Sequence, residues 1–176
     1  MIIAINPGHY IGSENYDPGA CNGTLGLREV DINIAVAQKL QPLLEAAGHE
    51  VVYIHCGELY EITEASNEAG ADLFVSIHCN SAGNESAAGA ETFYFAGSRK
   101  GRALAALVNA EMVGLGLTDR GIKCNSLYVT RNTDAVAVLV ELGFLSNMAE
   151  GSKLGSEYFQ QAAAEAICRG VCNYIG

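Results

Sequence analysis

Three apolar runs in this chain stop abruptly at side chains able to bind a metal or carry a proton. Met1–Asn6 (MIIAIN) meets Pro7-Gly8 and then His9. Leu73–Ile77 (LFVSI) ends in His78, Cys79, Asn80 and Ser81. Val136–Glu141 (VAVLVE) closes on its own carboxylate, shortly before Gly143. Short continuous apolar runs rich in β-branched residues, bounded by Gly and Pro, predict strands buried on both faces. Open α/β sheets deliver reactive groups to a crevice at the carboxyl ends of such strands. If these neighbours run parallel, His9, His78 and Glu141 share one edge of the sheet.

Between these runs the periodicity becomes helical. From about Arg28, Ile32, Val36, Leu40 and Leu43 recur at helical spacing, with Pro42 expected to kink the helix and Gly48 to end it. Glu29 falls in the first turn, where the helix dipole favours a carboxylate. Residues 50–55 read as a second strand, 59–70 as a second helix, and 90–96 as a fourth strand at a sheet edge. Ser98 is placed to cap a third helix to about Gly114, and Ser156 to open a last one through Tyr174. Residues 116–125 read as a loop, 126–130 as a short strand, and 10–26 as a long loop over the sheet. Strands alternating with helices predict an α/β fold with a mainly parallel, covered sheet.

The chain has 176 residues, 49% hydrophobic and 17% charged, enough for one domain with a substantial core. Its formal charge of −10 makes nucleic acid and anionic membrane surfaces poor partners. No apolar run approaches the roughly 18 residues that span a bilayer. Residues 1–5 lack a basic flank and are too short for a signal peptide, which implies a chain made in the cytoplasm. The cysteines (Cys21, Cys56, Cys79, Cys124, Cys168 and Cys172) form no CxxC pair and read as reduced thiols. Cys168 and Cys172, on one helix face, read as small core residues and not as a metal pair.

Two histidines and a carboxylate with one open position are a hydrolytic zinc arrangement. A further carboxylate would take the proton from the water that the metal activates. Glu141, at the end of an apolar strand, is partly desolvated, which raises its affinity for that proton. From the residues alone, His55 followed by Cys56 is a rival donor pair at another strand end. His49 reads as a cation near a helix end, and Glu14, Glu58, Glu61 and Glu64 as solvated acids.

Five segments carry a family resemblance: Pro7-Gly8-His9, Asp17-Pro18-Gly19-Ala20, Glu29–Ala35 (EVDINIA), Gly70–Asn80 (GADLFVSIHCN) and Val138–Asn147 (VLVELGFLSN). Gly89-Ala90-Glu91, Asp119–Lys123 and Leu127-Tyr128-Val129 are weaker echoes. In order, and over essentially the whole chain, they resemble the motifs of the zinc-dependent N-acetylmuramoyl-L-alanine amidases of the amidase-3 type. The resemblance implies a single catalytic domain over 1–176, with a twisted, mixed six-stranded sheet and helices on both faces. It implies one Zn²⁺ held by His9, Glu29 and His78, and Glu141 as the catalytic glutamate. The implied reaction is hydrolysis of the amide between the lactyl group of N-acetylmuramic acid and L-alanine in peptidoglycan. Asn80, Glu91 and Arg120 are expected substrate contacts on family position. His55 lies outside every matching motif.

The sequence departs from the family pattern at Tyr10, Ile62 and Cys79, where a small residue, an arginine and an alanine are usual. Two other readings compete with the amidase: a cysteine acyl hydrolase using Cys79, and a non-catalytic peptidoglycan-binding module of the same fold. A peptidoglycan amidase lacking an export signal fits a phage or prophage endolysin released through a holin. An acidic domain facing an anionic wall would bind it weakly, which implies a wall-binding domain beyond Gly176.

Overall fold

The computed structural model describes residues 1–12 and 15–176, so Glu14 lies outside the described residues. The strands are β1 (Ile2–Pro7), β2 (Cys21–Asn22), β3 (Leu27–Arg28), β4 (Glu50–Tyr53), β5 (Leu73–Asn80), β6 (Ala90–Tyr94), β7 (Asp119–Cys124) and β8 (Val136–Phe144). The helices are α1 (Glu29–Ala46), α2 (Leu59–Glu68), α3 (Arg99–Val113), α4 (Tyr128–Asn132), α5 (Met148–Leu154) and α6 (Glu157–Ile175). Among the described residues, six strands make one sheet in the order β4-β1-β5-β8-β6-β7, while β2 and β3 pair separately. The first four run parallel; β6 is antiparallel to β8 and parallel to β7. The expected mixed, mainly parallel sheet is therefore present.

The strand alternation builds two cores. Leu73, Val75 and Ile77 of β5 pack with Ile32 and Val36 of α1, Leu104 of α3 and Ile167 of α6. Phe74 joins Leu139 of β8 on the opposite face, against Ile62 of α2 and Val129 of α4. Ile62, where the family has an arginine, is thus core, and no ion pair is needed there. Covering both faces explains why the central strands read as unbroken apolar runs. The chain leaves β1 into α1 on one face and reaches β5 through α2 on the other. That reversal opens a crevice at the carboxyl ends of β1 and β5.

Helix ends follow the local chemistry. Gly48 (φ 87°) follows α1, with its N–H on Glu45 O at 3.0 Å and that of His49 on Leu44 O at 3.1 Å. These are the two carbonyl-closing bonds of a Schellman end. Pro42 sits inside α1, which continues through it unbroken. Ser98 Oγ accepts from Gly101 N, and Ser156 Oγ from Phe159 N, as N-caps.

Four local expectations are corrected. Residues 119–124 form β7 instead of a loop, pairing with β6. That pairing moves β6 from the expected edge to the interior, between β8 and β7. Residues 128–132 form the helix α4 instead of a strand, with Arg131 N bonded to Leu127 O at 3.0 Å. Finally, α5 appears in a stretch with no expected element, capped by Asn147.

Candidate metal centre

His9, Glu29 and His78 meet at the crevice, each offering a ligand atom within 4.8 Å of the others. Glu29 Oε1 lies 3.0 Å from His9 Nε2 and 3.0 Å from His78 Nδ1. It also accepts from Cys79 N at 3.0 Å, while Oε2 accepts from Ala20 N at 2.8 Å. The helix start therefore holds a buried carboxylate with both oxygens directed. Burial opposes its charge, but hydrogen bonds from His78 and His9 outweigh that and hold its carboxyl well below the usual range.

His9 turns out of β1 with a positive φ of 67°. The left-handed conformation costs about 1–2 kcal/mol for a residue with a Cβ, so its surroundings must hold it. Tyr10 and Asp17 exchange backbone bonds at 2.9 and 2.7 Å, closing the loop behind it. His55 Nε2 lies 3.2 Å from the His9 carbonyl, and its ring packs edge-on against Tyr10 at 5.1 Å. His55, the rival donor, thus supports the turn and does not join the cluster. The other His9 nitrogen, Nδ1, bonds Asp17 Oδ2 at 2.7 Å. Burial disfavours charge on this imidazole, yet Glu29 and Asp17 prevail and raise its pKa to about 9.

Two glycines make the approach possible. A Cβ on Gly8 would fall 2.1 Å from His78 Cε1 and Nε2. One on Gly19 would meet Glu29 Oε2 and His9 Cδ2 at 2.5 Å, and Gly19 also has a φ of 67°. The Pro-Gly pairs are therefore positions where backbone touches the imidazoles and the carboxylate.

Glu141 completes the row. Its Cα pairs with that of His78 across β5 and β8, so both side chains project from the same face. Its Oε2 is buried with no hydrogen-bond partner among the described residues. Burial, then the charges of Glu29 and Glu91, push its pKa up to about 8. Glu91 is its Cα partner on β6. Asn80 Nδ2 donates to Glu91 Oε1 at 2.6 Å and Arg120 Nε to Oε2 at 3.1 Å, while the guanidinium lies 4.7 Å over the Phe144 ring. Asn80, Glu91 and Arg120 thus form one bonded chain beside Glu141.

Cys79 points into the opposite core, buried, with its thiol 3.6 Å from Asn33 Oδ1. Burial raises its pKa well above that of a free thiol, and the charges of Glu29 and Glu141 add to this. A neutral thiol behind the sheet is a poor nucleophile. Beside His78 opens a cavity of about 230 Å³, walled by Tyr10, Leu59, Ile62, Leu127 and Leu139.

Three positioning side chains escaped the sequence reading. Asp17 was visible only as a motif letter, because its contact with His9 depends on the loop closing. Asn33 ties α1 to the Gly8 carbonyl at 3.1 Å from an otherwise core-facing helix. Glu150 accepts from Gly89 N at 2.8 Å and Phe144 N at 2.7 Å, pinning the two segments beside Glu91 and Glu141. The spacing Asn147-x-x-Glu150 was its one local signal, a capping pattern.

An α/β crevice holding two histidines, a buried carboxylate and a second one with an oxygen unpartnered among the described residues has the side chains of a metal-assisted hydrolase. The chain belongs to the Amidase_3 family, N-acetylmuramoyl-L-alanine amidase, which it matches over residues 3–173. It is 40% identical over 180 residues to the uncharacterized protein YqiI of Bacillus subtilis (strain 168), covering 98% of this chain and 84% of that protein. It is 33% identical over 179 residues to the N-acetylmuramoyl-L-alanine amidase LytC of the same organism, covering 98% of this chain and 35% of LytC. The catalytic domain of CwlV, an N-acetylmuramoyl-L-alanine amidase from Bacillus (Paenibacillus) polymyxa var. colistinus, superposes with a TM-score of 0.89. That pair is 33% identical and covers 99% of this chain and 97% of the other.

Proposed function

We propose that residues 1–176 are the catalytic domain of a zinc-dependent amidase acting on bacterial peptidoglycan. It hydrolyses the amide between the lactyl group of N-acetylmuramic acid and the L-alanine of the stem peptide. Family membership supports the reaction class. The observation that carries the mechanism is Glu141 Oε2, buried without a hydrogen-bond partner among the described residues and in register with His78, beside the cluster.

The donor set fits zinc: two imidazoles and a carboxylate leave a fourth position for water or substrate. His9, Glu29 and His78 would hold the ion, with Asp17 fixing the orientation of the His9 ring through Nδ1. Bound there, zinc would supply Lewis acidity, polarising the lactyl carbonyl and lowering the pKa of a water. Glu141 takes the proton from the attacking water, whose oxygen forms the new bond to the carbonyl carbon. It then delivers that proton to the alanine nitrogen as the C–N bond breaks. The products are a lactyl carboxylate and a free amine. Burial keeps the proton affinity of the Glu141 carboxyl above that of a solvated one, which suits a group that must accept a proton and return it.

The test is digestion of purified peptidoglycan before and after chelation. Fragments whose mass places a new amine on L-alanine, lost on chelation and restored by zinc, are expected. Glycan cleavage, or activity indifferent to chelation, would refute this reading.

A further inference from the structure

We infer that Arg120 is a specificity residue that receives a carboxylate of the stem peptide. The inference rests on the amidase reading above and assigns one end of that site. His78, Glu141, Glu91 and Arg120 stand on four successive strands, β5, β8, β6 and β7. With strands about 4.8 Å apart, Arg120 lies about 14 Å from His78 along the row. Its guanidinium reaches back one strand to Glu91. An extended peptide advances about 3.4 Å per residue, so this position lies within the first three residues beyond the scissile amide.

The guanidinium is built to be held still. Nε donates to the buried Glu91, whose other oxygen is fixed by Asn80, and the plane rests on Phe144. Both Glu91 oxygens are engaged within the protein, so Glu91 orients Arg120 instead of meeting substrate. The Arg120 side chain is 36% exposed, and its two Nη groups have no partner among the described residues. An Arg fixed through Nε and presenting both Nη groups is suited to a carboxylate, which it binds with paired, charge-assisted hydrogen bonds.

Charge also sets the direction. Arg120 supplies a cation at the β7 end of the row, one strand beyond Glu91. The other flank is the mainly apolar cavity walled by Leu59, Ile62, Leu127 and Leu139. The stem peptide carries carboxylates early, above all at its second residue, a γ-linked glutamate whose α-carboxyl is either free or amidated. The free form is the one that Arg120 selects.

The experiment compares two muramoyl tripeptides that differ only in that α-carboxylate or α-amide. The parent is expected to favour the carboxylate about tenfold in kcat/KM, mainly through KM. In Arg120→Gln the ratio should fall to about one, and in Arg120→Lys, which keeps charge without the fork, to an intermediate value. If the parent treats both alike, or Arg120→Gln weakens both equally, the inference is overturned. The parent's ratio needs no variant to fold. Cleavage of neither peptide would overturn the amidase reading itself, and this inference with it.

Discussion

His78 and Glu141 are Cα partners on adjacent parallel strands, so the distance from the imidazole to the Glu141 carboxylate is set by backbone pairing. A one-residue slip would turn Glu141 into the opposite core. Such a rigid mount makes side-chain length decisive. Glu141→Asp withdraws the carboxylate by about one bond, or about 1.5 Å. A misplacement of that size costs about 100-fold. We expect kcat to fall by about that factor while zinc content, read by atomic absorption, stays at the parent level.

Gly8→Ala should cost metal, because its Cβ would fall 2.1 Å from the His78 ring. Zinc affinity should drop about 10–100-fold, the range seen when a ligand loses its orientation. Gly83 has open space around its Cβ position. Gly83→Ala should therefore leave affinity unchanged and stability within about 0.5 kcal/mol. Competition with a chromogenic chelator measures the affinities, and urea denaturation the stability.

Asp17→Ala removes the 2.7 Å partner of His9 Nδ1. Zinc affinity should fall about 10–100-fold. Asp17→Asn, which keeps an acceptor oxygen, should recover part of the loss. Equal affinities in parent and Asp17→Ala would show that the turn alone orients His9.

Glu141 should destabilise the chelated protein at high pH. Its folded pKa of about 8 lies above the ordinary value of 4.5, so the folded state holds this proton more tightly. Below pH 4.5 both states are protonated and no penalty exists; as pH rises towards 8 the penalty grows to its full size. Glu141→Gln should therefore add about 1–3 kcal/mol near pH 9 and almost nothing near pH 4. Urea denaturation of chelated samples at the two pH values reads this directly.

Cys79→Ala should keep amidase activity and lose about 1 kcal/mol of stability, the cost of a small buried cavity. Loss of activity in a folded, zinc-loaded Cys79→Ala protein would revive the thiol mechanism.

The site was legible because its strands are. Ile3, Ile5, Val75, Ile77, Val138 and Val140 are completely buried, and such runs announce both a strand and the residue that ends it. That reading brings forward His9, His78 and Glu141 as strand ends and the helix start brings forward Glu29, while the family resemblance is what sets His55 aside. What failed was local pattern without burial to back it. Asp119–Cys124 is largely exposed and carries Gly121, so it reads as a loop, yet pairing with β6 makes it a strand. Leu127–Thr130 has β-favouring side chains, but Val129 packs against Ile62 of α2, and a helical turn wins. Contacts such as Asp17 to His9 and Glu91 to Arg120 depend on backbone closure that no local window contains.

The cluster draws on residues 9, 29 and 78, with Glu29 and His78 separated by 49 positions. No short peptide of this chain carries all three, so only the folded chain offers a complete chelate. On the function proposed above, zinc would act as a mass-action ligand of the native state, adding about 2.7 kcal/mol when held at 100 times its Kd. Zinc-poor medium would then lower the folded population as well as turnover, and proteolysis would register the shortage alongside the assay.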